Sequence, residues 1–77
     1  MNFGEVLECI KKGSSACRHG WNGKGMYIYL EEFEDYRTDG LGFEPAIIMY
    51  TAQKTYQPGW LASQNDMLAE DWEVFEK

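Results

Sequence analysis

The 77-residue sequence has few of the residues that mark a metal centre, a catalytic site or a secreted scaffold. It contains two cysteines, one histidine and seven basic residues against thirteen acidic ones, for a net charge of −6. Cys9 and Cys17 have neither the spacing of metal ligands nor the density of a disulfide framework, so we expect both to be buried thiols in a reducing cytosol. Binding to a nucleic-acid backbone requires clustered Lys and Arg, and the scattered basic residues here argue against it.

The sequence also lacks long apolar segments. No apolar run approaches the length of a membrane span, and the N-terminal residues lack the features of a signal peptide, so no membrane association is expected. The length predicts one small domain over residues 1–77. Four Phe, five Tyr and three Trp are a heavy aromatic content for this length. Each can bury about 150–250 Å². Because some of that surface would be buried only against another copy of the chain, we expect a homo-oligomer.

The first residues predict an amphipathic helix over residues 3–12. Asn2 and Glu5 have the spacing of a capping box, and Gly13 is a natural C-terminal stop. The apolar residues recur at the spacing of one helical face: Phe3, Val6, Leu7 and Ile10.

Strand patterns follow the helix. They cover residues 14–19, 26–30, 45–51 and 72–75, with the near-continuous apolar run 47–50 suited to a central strand. Residues 53–58 are predicted to be a polar turn region because they end in a Pro-Gly break. Three acidic residues near the C-terminal end are predicted to face solvent: Asp71, Glu73 and Glu76. Together the patterns predict an α+β fold, with one N-terminal helix packed on a small antiparallel sheet of about four strands.

The segment Gly20–Gly25 is predicted to be a ligand-contacting hairpin. Its Asn22-Gly23 pair is a strong hairpin signal, because both residues tolerate positive φ. Glycines also let a ligand approach the backbone N–H groups. Trp21 lies at the mouth of this hairpin. The neighbouring cations Arg18 and Lys24 could meet a phosphate group.

The segment from Pro58 to Trp72 allows two interpretations. In the first, it is a turn that closes the sheet and places Trp60 and Trp72 in the core. In the second, an indole provides a stacking surface, and the polar side chains beside it read the edge of a ring compound. Trp21 and Trp60 could then sandwich a planar base. The residues that could read its edges or a ribose hydroxyl are Asn22, Ser63, Gln64 and Asp66.

The sequence gives little indication of catalysis. It contains no nucleophile elbow, phosphate loop or dinucleotide fingerprint, and the single His19 has no evident partner. The acidic stretch 31–44 has six acids and one Arg. Its acids lack the alternation of a calcium loop, so we interpret it as a solvated loop, with a metal site as the minority alternative. We predict no catalytic residue, no metal and no cofactor. A nucleotide hydrolase using Asp66 and Glu70 is kept as an alternative.

Three segments resemble one known family. They are Met1–Glu5, Gly20–Met26 and Gly59–Trp72, and the last is long enough to be specific. The chain resembles the second type of Thoeris anti-defence proteins, a family of small phage-borne proteins. Residues 31–44 do not take part in this resemblance.

The resemblance implies a non-enzymatic sponge in the cytosol of the host cell. Such proteins bind a cyclic ADP-ribose isomer made by bacterial immune TIR enzymes, and some also bind cyclic dinucleotides. The resemblance further implies a homotetramer with pockets between protomers. The alternative is a protein-interaction module that uses the acidic loop and exposed aromatic residues. Hairpin and resemblance together give these candidate ligand contacts: Phe3, Trp21, Asn22, Gly23, Lys24, Trp60, Ser63, Gln64, Asp66 and Met67.

Overall fold

The computed structural model of the chain describes residues 1–32 and 43–76. These residues form an α+β arrangement with an N-terminal helix and a five-stranded antiparallel sheet, one strand more than the sequence predicts. Most of the predicted acidic loop, and the metal site considered there, lies outside the described residues. The elements in chain order are α1 Phe3–Lys11, β1 Ser15–Arg18, β2 Tyr27–Glu31, β3 Ala46–Tyr50, β4 Tyr56–Pro58, α2 Gln64–Leu68 and β5 Trp72–Phe75.

The predicted N-terminal helix is confirmed, one residue shorter than expected at its C-terminal end. Its capping box is complete: Asn2 Oδ1 accepts from the N–H of Glu5 at 2.9 Å, and Glu5 Oε1 accepts from the N–H of Asn2 at 2.9 Å. Gly13 follows with φ of 107°, a left-handed value that glycine adopts without steric cost and that ends the helix.

The sheet has the strand order β4-β3-β2-β1-β5, with antiparallel pairs throughout. The apolar run 47–50 lies in β3, between β2 and β4, as its composition predicts. The polar turn predicted for residues 53–58 is partly wrong, because Tyr56–Pro58 forms the edge strand β4. Pro58 is compatible with that place, since an edge strand does not need every N–H for pairing.

The connection between β1 and β2 is longer than a tight hairpin. It covers residues 19–26, and the positive φ of 78° falls on Gly25 instead of on Asn22 or Gly23. The predicted Asn-Gly turn is therefore wrong. Gly23 is needed for a different reason: a Cβ there would collide with the Met26 side chain and lie 2.8 Å from the Cβ of Ala52.

Helix α1 packs against one face of the sheet. The core contains Val6 and Ile10 from α1, and residues of four strands complete it: Ala16, Ile28, Met49 and Trp72. Trp72 is only 2% exposed and is the largest of the fully buried side chains. Its indole N–H donates to the backbone carbonyl of Asp66 at 2.9 Å, which joins β5 to α2.

The opposite face of the sheet carries the tyrosines of β2 and β3. Tyr27 is 6% exposed, stacks on Tyr50 with ring centroids 4.9 Å apart, and meets Phe75 edge-on at 5.6 Å. Cys17 lies on the same face and is half-buried, as is Cys9, and both are free thiols. Burial, and then the negative charge of Glu73, raises the pKa of the Cys17 thiol.

Replacing Trp72 with Phe tests the link between β5 and α2. This change keeps most of the buried ring but removes the donor to the Asp66 carbonyl. We expect the free energy of unfolding to fall by about 1 kcal/mol, since one hydrogen bond is lost. Trp72→Ala should cost about 3–5 kcal/mol because it also empties the core. Urea denaturation measures both, and equal losses for the two variants would contradict this account.

Candidate ligand site around Trp21

Four aromatic rings meet where α1, α2 and the β1–β2 loop converge on the core. Trp72 lies at the centre of the group, with ring centroids 5.3 Å from Trp21 and 5.5 Å from Phe3. Trp21 and Trp60 contact each other with centroids 6.4 Å apart and an angle of 67° between the planes. A planar base cannot lie between two rings in such contact, so the predicted Trp21–Trp60 sandwich does not occur within one chain.

Of the two interpretations of the Pro58–Trp72 segment, the core interpretation holds for Trp72 but only in part for Trp60. Trp72 is buried, as the core interpretation states. Trp60 and Trp21 pack against the core and remain partly exposed. Each therefore keeps some ring surface that another molecule can contact.

A carboxylate fixes the orientation of Trp21. Asp66 Oδ1 accepts from the indole Nε1 of Trp21 at 3.1 Å and from Nη1 of Arg18 at 2.8 Å. Its other oxygen accepts from the backbone N–H of Ser63 at 3.1 Å, while the Ser63 hydroxyl accepts from the N–H of Asp66 at 3.0 Å. Both side chains form the capping box of α2. Their predicted use as readers of a ligand edge does not fit these contacts.

A second carboxylate holds the start of the β1–β2 loop. Asp71 Oδ1 accepts from Nε of Arg18 at 2.8 Å, and Oδ2 accepts from the N–H of Gly20 at 2.7 Å. Asp71 is therefore not the solvent-facing acid that the sequence predicts. Arg18 in turn is bound by two carboxylates, which raises its pKa, so it does not offer the free cation predicted for a phosphate.

The pKa values of both aspartates reflect these contacts. Burial raises the pKa of Asp66, but the hydrogen bonds from Arg18, Trp21 and Ser63 together outweigh it, and the net shift is downward. The hydrogen bond from Arg18 lowers the pKa of Asp71, with a further contribution from the N–H of Gly20. Both groups are therefore held as carboxylates at neutral pH.

The β1–β2 loop borders a depression of about 480 Å³. Four of the predicted ligand contacts lie there, namely Trp21, Asn22, Gly23 and Lys24. Lys24 is exposed and makes no ion pair within the part of the chain that the structure describes. The full lining is Cys17, Arg18, His19, Trp21, Asn22, Gly23, Lys24, Gly25, Met26, Glu73 and Phe75.

The remaining predicted contacts lie outside that depression. Gln64 and Met67 are exposed on α2, and Phe3 and Trp60 belong to the aromatic group. We call these four residues (Gln64, Met67, Phe3 and Trp60) the second group of candidate residues. The contact between Trp60 and Trp21 connects this group to the β1–β2 loop. The structure thus brings the predicted residues into one region but divides them between two surfaces.

The site shows no arrangement typical of hydrolysis. Asp66 is engaged with Arg18, Trp21 and Ser63, so it does not form an acid–base pair with the exposed Glu70. His19 forms a contact with Glu73 on the surface. Within residues 1–32 and 43–76, no group of three or more His, Cys, Asp or Glu side chains could hold a metal ion. No helix among the same residues is long and apolar enough to span a membrane.

The sequence that forms this small α+β fold matches a known protein family. Residues 1–75 match the family described as the Thoeris anti-defense 2-like domain. The chain is also 40% identical over 84 residues to the protein "Thoeris anti-defense 2" of Bacillus phage SP01, and the match covers 96% of this chain and 93% of that protein. The chain therefore belongs to the Thoeris anti-defense 2-like family. This membership supports a phage anti-defence role.

Acid titration should reveal the contribution of Asp66. Because its pKa is lowered in the folded protein, its contribution is fully present above the unfolded value of about 3.9 and is lost as the pH falls through the lower folded value. We expect Asp66→Asn to reduce the free energy of unfolding by about 2–3 kcal/mol at pH 7, and by progressively less below pH 4.

Urea denaturation of the two proteins from pH 2 to pH 7 measures this difference. Glu70→Gln is the matched control, because it removes one negative charge from an exposed side chain of the same region. A loss of stability for Asp66→Asn that stays constant with pH would show that the carboxylate charge is not responsible.

Proposed function

We propose that the protein binds a cyclic ADP-ribose-type immune signal in the host cytosol and sequesters it without cleaving it. The observation that carries this proposal is the match of residues 1–75 to the Thoeris anti-defense 2-like family. The depression beside the β1–β2 loop provides a site in which such a ligand would fit. Cyclic dinucleotides are the second ligand class to be tested.

The chemistry of the depression suits a nucleotide. Its volume of about 480 Å³ lies within the usual range for small-molecule sites, about 300–1,000 Å³. The partly exposed ring of Trp21 offers an apolar surface for a base, and Asn22 offers an amide that can donate and accept. Lys24 and the backbone N–H groups of the glycine-rich loop can meet a pyrophosphate.

The net charge of the protein does not prevent binding of an anion. The chain carries −6 overall. Charges farther away than about 10 Å are largely screened at ordinary salt, so the local groups decide. In the depression Lys24 supplies positive charge, while Glu73 has His19 as its partner.

The proposal includes a homo-oligomer, with a tetramer favoured by the resemblance. Leu61 is 87% exposed and Leu68 is 79% exposed, which are the largest values among the large hydrophobic residues that the structure describes. They lie before and at the end of α2, on either side of Gln64 and Met67. Contact between copies through α2 would bury these leucines and bring the second group of candidate residues to a ligand.

A thermal-shift screen with cyclic ADP-ribose isomers and cyclic dinucleotides tests the proposal. Ligand at about 100 times its dissociation constant should stabilise the protein by roughly 2.7 kcal/mol. The bound ligand, released by heat and analysed by chromatography, should be chemically unchanged. Cleaved ligand would indicate an enzyme. A stoichiometric protein partner from host cells, with no shift from any nucleotide, would instead support a protein-interaction module.

Substitution of the two partly exposed indoles separates ligand contacts from core. We expect Trp21→Ala and Trp60→Ala each to abolish ligand binding, and at least one of them to leave the fold intact. Trp72→Ala is the control for a core residue, since truncating a buried Trp costs about 3–5 kcal/mol and destabilises the fold itself. Circular dichroism and calorimetric titration measure the two effects. If both single variants bound ligand as tightly as the wild-type protein, neither Trp21 nor Trp60 would be a ligand contact.

Removal of the two exposed leucines tests the assembly. The double variant Leu61→Ser/Leu68→Ser should shift the mass in solution towards the 8.9 kDa of one chain, because apolar contact area between copies is lost. Size-exclusion chromatography with light scattering gives the mass, and circular dichroism checks the fold. A variant of unchanged mass would place the contact between copies elsewhere.

A further inference from the structure

We propose that Arg18 is a positioning residue, which ties Asp66 and Asp71 to the β1–β2 loop and thereby holds Trp21 and Gly20 in the arrangement that binds ligand. This inference rests on the proposed function, because it concerns the affinity of that same site. Arg18 lines the depression, but its guanidinium is bound by Asp66 and Asp71, so in this proposal it acts through those residues.

The position of Arg18 in the chain makes this role possible. It is the last residue of β1, so the loop begins directly after it. Its guanidinium group donates from Nη1 to Asp66 and from Nε to Asp71, both at 2.8 Å. The partners come from α2 and from the residue before β5, respectively 48 and 53 positions away in sequence. One side chain therefore fixes three separate segments relative to one another.

Each aspartate passes this restraint on to the loop. Asp71 Oδ2 accepts from the N–H of Gly20 at 2.7 Å, and the backbone carbonyl of Asp71 accepts from the N–H of His19 at 3.2 Å. Asp66 Oδ1 accepts from the indole N–H of Trp21 at 3.1 Å. The first three residues of the loop are thus held by the two acids that Arg18 binds.

The low solvent exposure of Arg18 and Asp66 strengthens the contact between them. The side chains of Arg18 and Asp66 are 17% and 11% exposed, so water and salt screen their interaction only partly. Hydrogen bonds between ionised partners are about twice as strong as neutral ones, and the planar guanidinium can serve two carboxylates in fixed directions. A lysine at this position would keep the charge but lose that fixed geometry.

The space around Gly20 supports the same conclusion independently. A Cβ on Gly20 would lie 2.8 Å from Asp71 Oδ2 and 3.1 Å from Nη2 of Arg18. The loop backbone therefore lies directly against the ion-paired side chains of Arg18 and Asp71, which form the arginine–carboxylate unit. Glycine permits this approach because it has no side chain. Any displacement of the unit would be transmitted to the loop.

The effect on affinity follows from the cost of ordering the loop. Residues 19–26 include three glycines, which lose the most conformational freedom when they are fixed. A loop that is already ordered in the free protein does not have to be ordered when ligand binds, so preorganisation strengthens binding without a new contact.

Two substitutions test the proposal. Arg18→Lys keeps the charge and removes the two-directional geometry. Asp71→Asn removes the charge that holds Gly20 and leaves the more buried Asp66 in place, so it serves if Arg18→Lys does not fold. Glu8→Gln is the matched control, since it makes the same carboxylate-to-amide change on the exposed surface of α1.

Two measurements are made on each protein. The first is the dissociation constant for a cyclic ADP-ribose isomer. The second is hydrogen exchange, by NMR in the absence of ligand, at the indole N–H of Trp21, the amide of Gly20 and the indole N–H of Trp72. We expect both variants to bind about tenfold more weakly. In Arg18→Lys, exchange should accelerate at Trp21 and Gly20; in Asp71→Asn it should accelerate at Gly20, since Asp66 still holds Trp21. Neither variant should change exchange at the core residue Trp72. Glu8→Gln should leave affinity and exchange unchanged.

The outcomes separate this proposal from the proposed function. Unchanged exchange at Trp21 and Gly20 would overturn the positioning role, whatever the ligand. Faster exchange with unchanged affinity would also overturn it, because loop order would then not matter for binding. If the wild-type protein binds neither cyclic ADP-ribose isomers nor cyclic dinucleotides, the proposed function fails. Faster exchange in the variants would in that case still establish that Arg18 orders the loop.

Discussion

The site depends on the contacts of one buried carboxylate, that of Asp66. It is the N3 member of the capping box that begins α2, it accepts from the guanidinium of Arg18, and it accepts from the indole of Trp21. The backbone carbonyl of the same residue accepts from the indole of Trp72 in the core. A single residue thus connects the short helix, strand β1, the loop and the core. Because removing one partner of a buried charge leaves that charge less compensated, the contacts of the Asp66 carboxylate depend on one another.

The several contacts of Asp66 explain how the five-residue helix α2, which has no buried apolar face, can be stable. Isolated helices of this length do not persist in water, because forming the first turn is costly. Helix α2 is held at its start by the Ser63–Asp66 capping box and through Asp66 by Arg18. Its apolar residues Met67 and Leu68 remain exposed as a result. The helix is therefore anchored by polar contacts and leaves its apolar side chains exposed, which suits the contact between copies proposed above.

The parts of the structure that depend on local sequence could be predicted, and those that depend on distant partners could not. Helix α1 follows from its apolar spacing and its Asn2–Glu5 box, and the central strand from its apolar run. The Ser63–Asp66 spacing is also that of a capping box, a local signal for the start of α2. Arg18 and Asp66 are 48 residues apart, so nothing near either residue indicates the other. The strand β4 was missed because pairing with β3, not its polar composition, makes it a strand.

The charge of Arg18 has a consequence for how an acidic protein could hold an anionic nucleotide. An arginine beside a glycine-rich loop suggests a phosphate contact, but here two carboxylates already use its charge. For the proposed anionic ligand, the cation of the depression that has no carboxylate partner among the described residues is Lys24. Further donors would be backbone N–H groups beyond Trp21, since those of His19, Gly20 and Trp21 already donate within the chain. Such N–H groups attract an anion only when they point towards one place, and a mobile loop would scatter them. Under the proposed function, Arg18 would therefore act by ordering the loop and not by reaching for the phosphate.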